Sequence, residues 1–441
     1  MGSSIDLNVV GKRLEHQDLH DQRNYIADLL DRRQHTFPGA QPVSFARHHL
    51  EELQQHDYYL CEKTDGIRCL MYLNQYIDQD GRPQEAYFLI DRKNDHYFVQ
   101  GLHIPKPMPN GEGCDVASFH IGTLLDGELV VQTRRDGPNG PPYQRLTYLI
   151  FDMLALDSEP ILQKSFQSRI GRIDKFVWRP YREFAKRYPD DLRAQPFDIV
   201  MKKMEFAYGT MMMFKDRIPT LPHGNDGLIF TLVASEYTPG TDQHILKWKP
   251  PHENTIDFRL EIKTFPLISD DDGGEEYEDY DAIPEIELQI SHGGKPPEYE
   301  YYAMLTLTPT EWEATKRLNQ QIDGRIIECY RDPTNGHWRP KTESNGAPRF
   351  RDDKTESNHI TTVKSVEQSI RDAVSEQDLI AAAGAIRKAW KAREQEQKAA
   401  NERARAASEK RKREAAEKMK EAPVEKRGMV EEEDDGPRYE D

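Results

Sequence analysis

The sequence predicts an α+β chain in three parts: an N-terminal α+β domain, a smaller all-β domain, and a helical C-terminus. Three observations predict it. From about Tyr58 to Trp248, short β-branched and aromatic segments recur between Gly, Pro and Asp punctuation, with stretches of helical spacing among them. After "KWKPP" the helical spacing gives way to short alternating segments. From Ser365 the sequence becomes helical, first in "SVEQSIRDAV" and then in an Ala/Glu/Lys/Arg run from Arg387 to Lys420.

The first strands flank "EKTDGIR" (Glu62–Arg68), where Gly66 permits a tight turn. Strands follow in "AYFLIDR", "LDGELVVQT" and "LTYLIFDMLAL", then a helix over Leu162–Val177, then the strand "DGLIFTLV". Pro250 and Pro251 mark the boundary, so the first domain spans 1–249. "IDFRLEIKTF", "EIELQIS", "EYYAMLTL" and "GRIIECYRD" alternate like strands of a small barrel or sandwich over 250–364. Residues 365–420 read as helix, polar nearly all round from Arg387, and 421–441 as an acidic disordered tail.

At 441 residues the chain is long for one core, which fits two domains with appendages. Its formal charge of −17 argues against a nucleic-acid-binding surface overall. A locally basic cleft stays open, because much acid is concentrated in "SDDDGGEEYEDYD" (Ser269–Asp281) and "EEEDDGPRYED" (Glu431–Asp441). No apolar run reaches membrane-spanning length, so no membrane partner is expected. Four scattered cysteines lack metal-ligand spacing and read as reduced thiols of cytosol or nucleus.

Lys63 lies among Glu62, Asp65 and Arg68 with apolar flanks on both sides. Such a lysine is either an ion-pair partner of Glu62 or Asp65, or a nucleophile deprotonated by partial burial and nearby cations. Further charges follow in order. "LLDGELV" sets Glu128 in a strand after an Asp-Gly turn, "YLIFDML" puts Phe151 and Asp152 at a strand end, and "NDGLIFT" sets Asp226 before a strand. "ILKWKPP" brings Lys247 and Lys249 onto one strand face, where they repel unless an anion lies between them. A polyphosphate is the natural anion.

The order KTDGIR, LDGELV, YLIFDML, DGLIFT, LKWKP resembles the covalent nucleotidyltransferases: RNA-capping guanylyltransferases and ATP- or NAD-dependent ligases. "KWKPPHENTIDF" and "PRFRDDKTESNH" resemble the capping branch, most like the fungal type in which the RNA triphosphatase is a separate polypeptide. The resemblance runs from about Lys63 to Val366. It departs from the family pattern at Ser357, where Pro is usual, and at "RPKTESNGAP", inserted after Trp338.

The resemblance implies a nucleotidyltransferase domain with antiparallel sheets and flanking helices, then an OB-fold lid. It implies that Lys63 attacks GTP to give a lysyl-GMP, which passes to the 5′-diphosphate end of nascent RNA. Asp226, Lys247 and Lys249 would serve the chemistry. Lys247, Lys249 and Arg92 would contact phosphates, Arg68 and Glu128 the ribose, and Phe151 would stack on guanine. Lys203, or its neighbour Lys202, would read the base. Asp257, Arg349, Arg351, Asp353 and Lys354 would meet the β- and γ-phosphates when the lid closes. Glu128 and Asp226 are the candidate ligands of a divalent metal, Mg²⁺ or Mn²⁺. The family also implies an RNA triphosphatase β subunit and the phosphorylated tail of RNA polymerase II as partners. A nuclear location follows, with "EKRKREAAEK" either an import patch or a solvated charged helix. An RNA or DNA ligase would share this chemistry but prefer ATP. A non-catalytic RNA-binding subunit would need one of the motif charges to be missing.

Overall fold

The computed structural model describes residues 5–135, 137, 140–269, 275–343 and 345–421. Residues Met1–Ile386 cluster as one compact unit and those from Arg387 as a second. Of the expected acidic tail (421–441), Glu421 ends the long helix and 422–441 lie outside the described residues, as does the centre of the acidic loop (270–274). The flanks of that loop, Leu267–Ser269 and Glu276–Glu278, pair as a two-stranded ribbon.

The first domain is built on two sheets. The larger has eight strands, ordered Lys12–Arg13, His96–Val99, Pro83–Ile90, Ile67–Ile77, Thr123–Arg135, Pro142–Leu156 and Glu159–Pro160, with Asp198–Met201 beside Pro142–Leu156. The smaller has five, ordered Glu205–Phe206, Tyr58–Thr64, Asn225–Leu232, Gly240–Trp248 and Ala40–Ser44. Pairing is antiparallel except at two edges, where Asp198–Met201 and Ala40–Ser44 run parallel to their neighbours. The helices Phe166–Arg172 and Arg179–Arg187 cover the larger sheet, burying Phe166, Tyr181 and Phe184.

The segment around Lys63 differs from the expected pair of strands joined by a turn. Tyr58–Thr64 belongs to the smaller sheet and Ile67–Ile77 to the larger, so Asp65 and Gly66 form a corner between sheets. A Cβ on Gly66 would lie 2.5 Å from the Leu129 carbonyl oxygen, so only glycine lets the corner pass this close. Both sheets therefore open onto one cleft at this point.

Thr255–Thr264 starts a second, five-stranded antiparallel sheet ordered Tyr299–Met304, Glu285–Ser291, Thr255–Thr264, Ile326–Arg331 and Trp338–Pro340. Its apolar face, with Phe258, Leu288, Ile327 and Trp338, is a core of its own. The helix Pro309–Arg317 joins the third strand to the fourth and starts with a capping box between Thr308 and Glu311.

The C-terminus also departs from expectation. Residue 365, the expected start of the helical region, falls inside the helix Ile360–Arg371, whose Val363 is buried in the second sheet's core. The chain then returns to the first domain, where Val374, Leu379 and Ile386 join Leu60, Phe230 and Trp248. The Trp248 indole N–H donates to the Val374 carbonyl at 2.8 Å, sealing the return. Residues 387–421 continue as helix. Among the described residues no helix is long and apolar enough to cross a membrane.

Candidate active site

One cavity lies where the two sheets meet at the Lys63 corner, lined among others by Lys63, Arg68, Arg92, Glu128, Phe151 and Lys202. Lys63 projects from the smaller sheet and is paired with neither Glu62 nor Asp65. Its Nζ donates to both carboxylate oxygens of Asp226, at 2.7 and 2.9 Å. Lys249 Nζ reaches the same carboxylate at 2.8 Å. Burial alone would raise the Asp226 carboxyl, but the two ammonium groups outweigh it and hold it below the usual carboxylate range.

Two β-bulges aim the site. Asn225 opposes Thr64 while Leu228 opposes Glu62, so three steps on one strand match two on the other. Asp226 lies in that irregularity and swings toward Lys63. Asn225 Nδ2 holds the distortion by donating to the Lys63 and Gly227 carbonyls at 3.0 and 2.8 Å. A second shift, between Ile150 and Asp152, makes Phe151 the extra residue of its strand. Phe151 thus faces the cavity while Asp152 turns inward, where Arg169 grips it at 2.7 and 2.9 Å.

Glu128 is mid-strand opposite Arg68; the Asp-Gly pair before it is extended backbone within Thr123–Arg135 and forms no turn. Gly127 is required there because a Cβ would run into the Tyr148 ring. The Glu128 carboxylate accepts from the Gly66 amide at 3.1 Å. Burial raises its pKa, and Lys202 and Lys63 only partly oppose this. Arg68 binds Asp126 with both Nε (3.0 Å) and Nη2 (2.6 Å) and lies 5.5 Å from the Phe151 ring.

Lys247 and Lys249 line a groove beside the cavity. Burial and then the nearby Lys249 and Lys63 lower the Lys247 pKa. Burial and Arg68 do the same for Arg92, which lines the cavity. Among the described residues neither has an ion-pair partner, so the cleft carries uncompensated positive charge facing Lys63, as an anion site requires.

Lys203 is a correction. Its side chain is 66% exposed, pairs with Glu205 at 3.1 Å and is absent from the cavity lining. Its neighbour Lys202 is buried in the cavity wall, donates to the Glu62 carbonyl at 3.0 Å and lies 5.7 Å from the Phe151 ring. The two are neighbours just past the strand Asp198–Met201, where the Lys202 amide still donates to the Ile150 carbonyl at 2.7 Å and its side chain turns inward while that of Lys203 turns out.

The second-domain charges are tied to one another. Asp257 accepts from Arg351 at 3.2 Å and from Lys354. Arg351 also binds Asp353 at 2.8 Å, and Arg349 binds Glu343 at 2.8 Å and Glu328 at 3.6 Å. Asn358 pairs with the backbone of Asp257 in both directions, at 2.7 and 2.9 Å. Ser357 is buried with its hydroxyl unpartnered. None of these groups lines the cavity around Lys63.

Sequence reading missed Asp126, Tyr237 and Asn225. Asp126 sits inside a quoted motif, two residues before Glu128 and so on the same strand face, a signal available from spacing alone.

A lysine gripped by a carboxylate, beside an aromatic ring and unpaired cations, is the kind of site a nucleotidyltransferase uses. The family description "mRNA capping enzyme, catalytic domain" matches residues 5–251, and "mRNA capping enzyme, C-terminal domain" matches residues 253–380. An "mRNA-capping enzyme subunit alpha" of Neurospora crassa is 44% identical over 85% of this chain and 91% of its own. Its counterparts in Schizosaccharomyces pombe and Saccharomyces cerevisiae are 38% and 37% identical, over 88% and 81% of this chain and 90% and 81% of theirs. Among solved structures, a mycobacterial DNA ligase D aligns with a TM-score of only 0.32 at 15% identity, covering 72% of this chain and 95% of that one, so the family rests on the sequence relatives. The chain belongs to the mRNA capping enzyme family and is an enzyme of the guanylyltransferase class.

Proposed function

We propose that the chain transfers GMP from GTP to the 5′-diphosphate end of nascent RNA through a covalent lysyl-GMP, forming a 5′–5′ GpppN cap. The observation that carries this reading is Lys63 in the cavity wall, its Nζ 2.7 Å from Asp226 and backed by Lys249. In the first step the Lys63 nitrogen bonds to the α-phosphorus, the bond to the bridging oxygen breaks, and pyrophosphate leaves. The amine gives up a proton, and the Asp226 carboxylate is the acceptor in contact with it. In the second step an oxygen of the RNA diphosphate attacks the same phosphorus, the N–P bond breaks, and the lysine regains its proton.

Lys247, Lys249 and Arg92 neutralise the phosphates, Phe151 stacks on the base, and Lys202 reads it. Arg68 and Glu128 hold the sugar. The five-stranded second sheet, with a helix between its third and fourth strands, fits an OB-type lid. Its Arg349, Arg351, Asp353 and Lys354 exchange their present partners for the β- and γ-phosphates on closure, with Asp257 alongside.

Among the described residues no three His, Cys, Asp or Glu side chains converge. Glu128 and Asp226, whose carboxylates are close enough to repel, are the pair that would hold a Mg²⁺ or Mn²⁺ ion, with its remaining oxygens from phosphates and water. Bound there, the ion supplies charge neutralisation of the phosphate oxygens. Relatives described as α subunits support a partner subunit, which we assign as the RNA triphosphatase, with the phosphorylated polymerase II tail as second partner and the nucleus as location.

Incubation with α-labelled GTP and a divalent cation tests the reading. The protein acquires a label stable to alkali and labile to acid, and Lys63→Ala does not. A label retained by Lys63→Ala, or none on the wild-type chain, overturns it.

A further inference from the structure

A closed circuit of contacts runs through the wall of the cavity and the core behind it, and two of its members, Arg169 and Tyr237, lie in none of the motifs. It starts at Asp152, next to Phe151, which binds Arg169 through two hydrogen bonds. Arg169 donates to the Ser235 carbonyl at 3.0 Å and lies 5.5 Å from the Tyr237 ring. The Tyr237 hydroxyl donates to Asp126 at 2.5 Å and accepts from the Ala40 amide at 3.0 Å. Asp126 holds Arg68 through two hydrogen bonds, and Arg68 also donates to the Ala40 carbonyl. Arg68 returns to Phe151 at 5.5 Å, closing the loop.

Every polar member but the half-buried Arg68 is buried, with Asp126 and Arg169 wholly inaccessible and Asp152 2% exposed. A carboxylate placed there without a function would cost stability, since apolar residues of similar size serve a core at least as well. The circuit does not touch Lys63. It fixes the two groups, Arg68 and Phe151, that form the floor of the nucleoside end.

We propose that Tyr237 and Asp126 are positioning residues for the nucleoside of the substrate, setting the Arg68 guanidinium relative to the Phe151 ring. The inference rests on the nucleotide site proposed above and adds to it the residues that preorganise it. In the free chain an untethered Arg68 swings into the space the nucleoside needs, or away from its sugar. Either movement weakens binding without altering the reactive amine.

The test separates binding from chemistry. In a Lys63→Ala background, where no adduct forms, GTP is titrated by calorimetry against that protein and against the same protein carrying Tyr237→Phe. Loss of one hydrogen bond to a buried charge weakens GTP about tenfold, while inorganic tripolyphosphate, which has no nucleoside, binds both equally. With Lys63 present, Tyr237→Phe raises KM for GTP and leaves kcat of adduct formation within about threefold. Asp126→Asn provides a second variant with the same split between GTP and tripolyphosphate. Unchanged GTP affinity in a folded Tyr237→Phe protein, or equal weakening of GTP and tripolyphosphate, overturns the proposal. If the wild-type chain takes no label from GTP the covalent mechanism fails, yet the calorimetric comparison still decides the role of Tyr237.

Discussion

Lys63 Nζ and the Asp226 carboxylate lie 2.7 Å apart, although 162 residues intervene between them in the chain, and Lys249 shares the same carboxylate at 2.8 Å. One anion thus compensates two of the cations that converge on the cleft. This ion pair holds the Lys63 amine in place, and in the mechanism proposed above it must loosen for the amine to react.

Removing that anion exposes the repulsion among Lys63, Lys247 and Lys249. We expect Asp226→Asn to lower the melting temperature of the ligand-free protein and tripolyphosphate to restore most of the loss, as bound anions stabilise by mass action. Adduct formation falls by roughly a hundredfold or more, as for loss of a preorganised charge. Thermal melts with and without tripolyphosphate check this; a variant that melts like wild type without it contradicts the assignment.

The same pair sets an acid limit. The Asp226 carboxyl is held below its unfolded-state value by Lys63 and Lys249, which outweigh the opposing effect of burial. A depressed carboxyl contributes stability that is present above the unfolded pKa, near 4, and is lost as pH falls through the folded value. Denaturation followed from pH 6 to 3 therefore shows a loss of stability that Asp226→Asn lacks.

Glu128 behaves in the opposite sense. Burial raises its pKa, so its ionised form costs stability at neutral pH. Glu128→Gln is expected to melt higher than wild type by about 1–3 °C, while adduct formation drops roughly tenfold or more. A variant both less stable and fully active contradicts the burial argument.

The base-reading role proposed for Lys202 separates it from Lys203. Lys202→Met erodes the preference for labelled GTP over labelled ATP by roughly tenfold, whereas Lys203→Ala, altered on an exposed side chain, leaves it unchanged. The reverse result restores Lys203.

The lid role proposed for Arg349 predicts a step-specific defect. Arg349→Ala suppresses nucleotidylation roughly a hundredfold and leaves transfer from preformed enzyme–GMP to RNA largely intact. Equal loss in both steps, measured by single-turnover labelling and by chase with 5′-diphosphate RNA, contradicts the lid role.

Much of this protein was legible in the residues themselves. The α+β character and the strands of both domains follow from local pattern, which also marks Lys63, Arg68, Glu128, Phe151, Asp226, Lys247 and Lys249 as candidates, while the roles given to them come from the family resemblance. Such features are encoded over a few residues, and the cost of burying charge makes them conspicuous.

Other features depend on register and long-range packing, which no short stretch specifies. That Lys202 turns inward and Lys203 outward depends on how Asp198–Met201 seats beside Pro142–Leu156. The direction of Asp226 and Phe151 depends on two bulges, each defined only against a partner strand. Tyr237 meets Asp126 across 111 residues, and the C-terminal segment returns to Trp248 across 126. Those pairings arise from the total apolar area buried and from the few polar partners a closed core can offer, so folding alone brought them together.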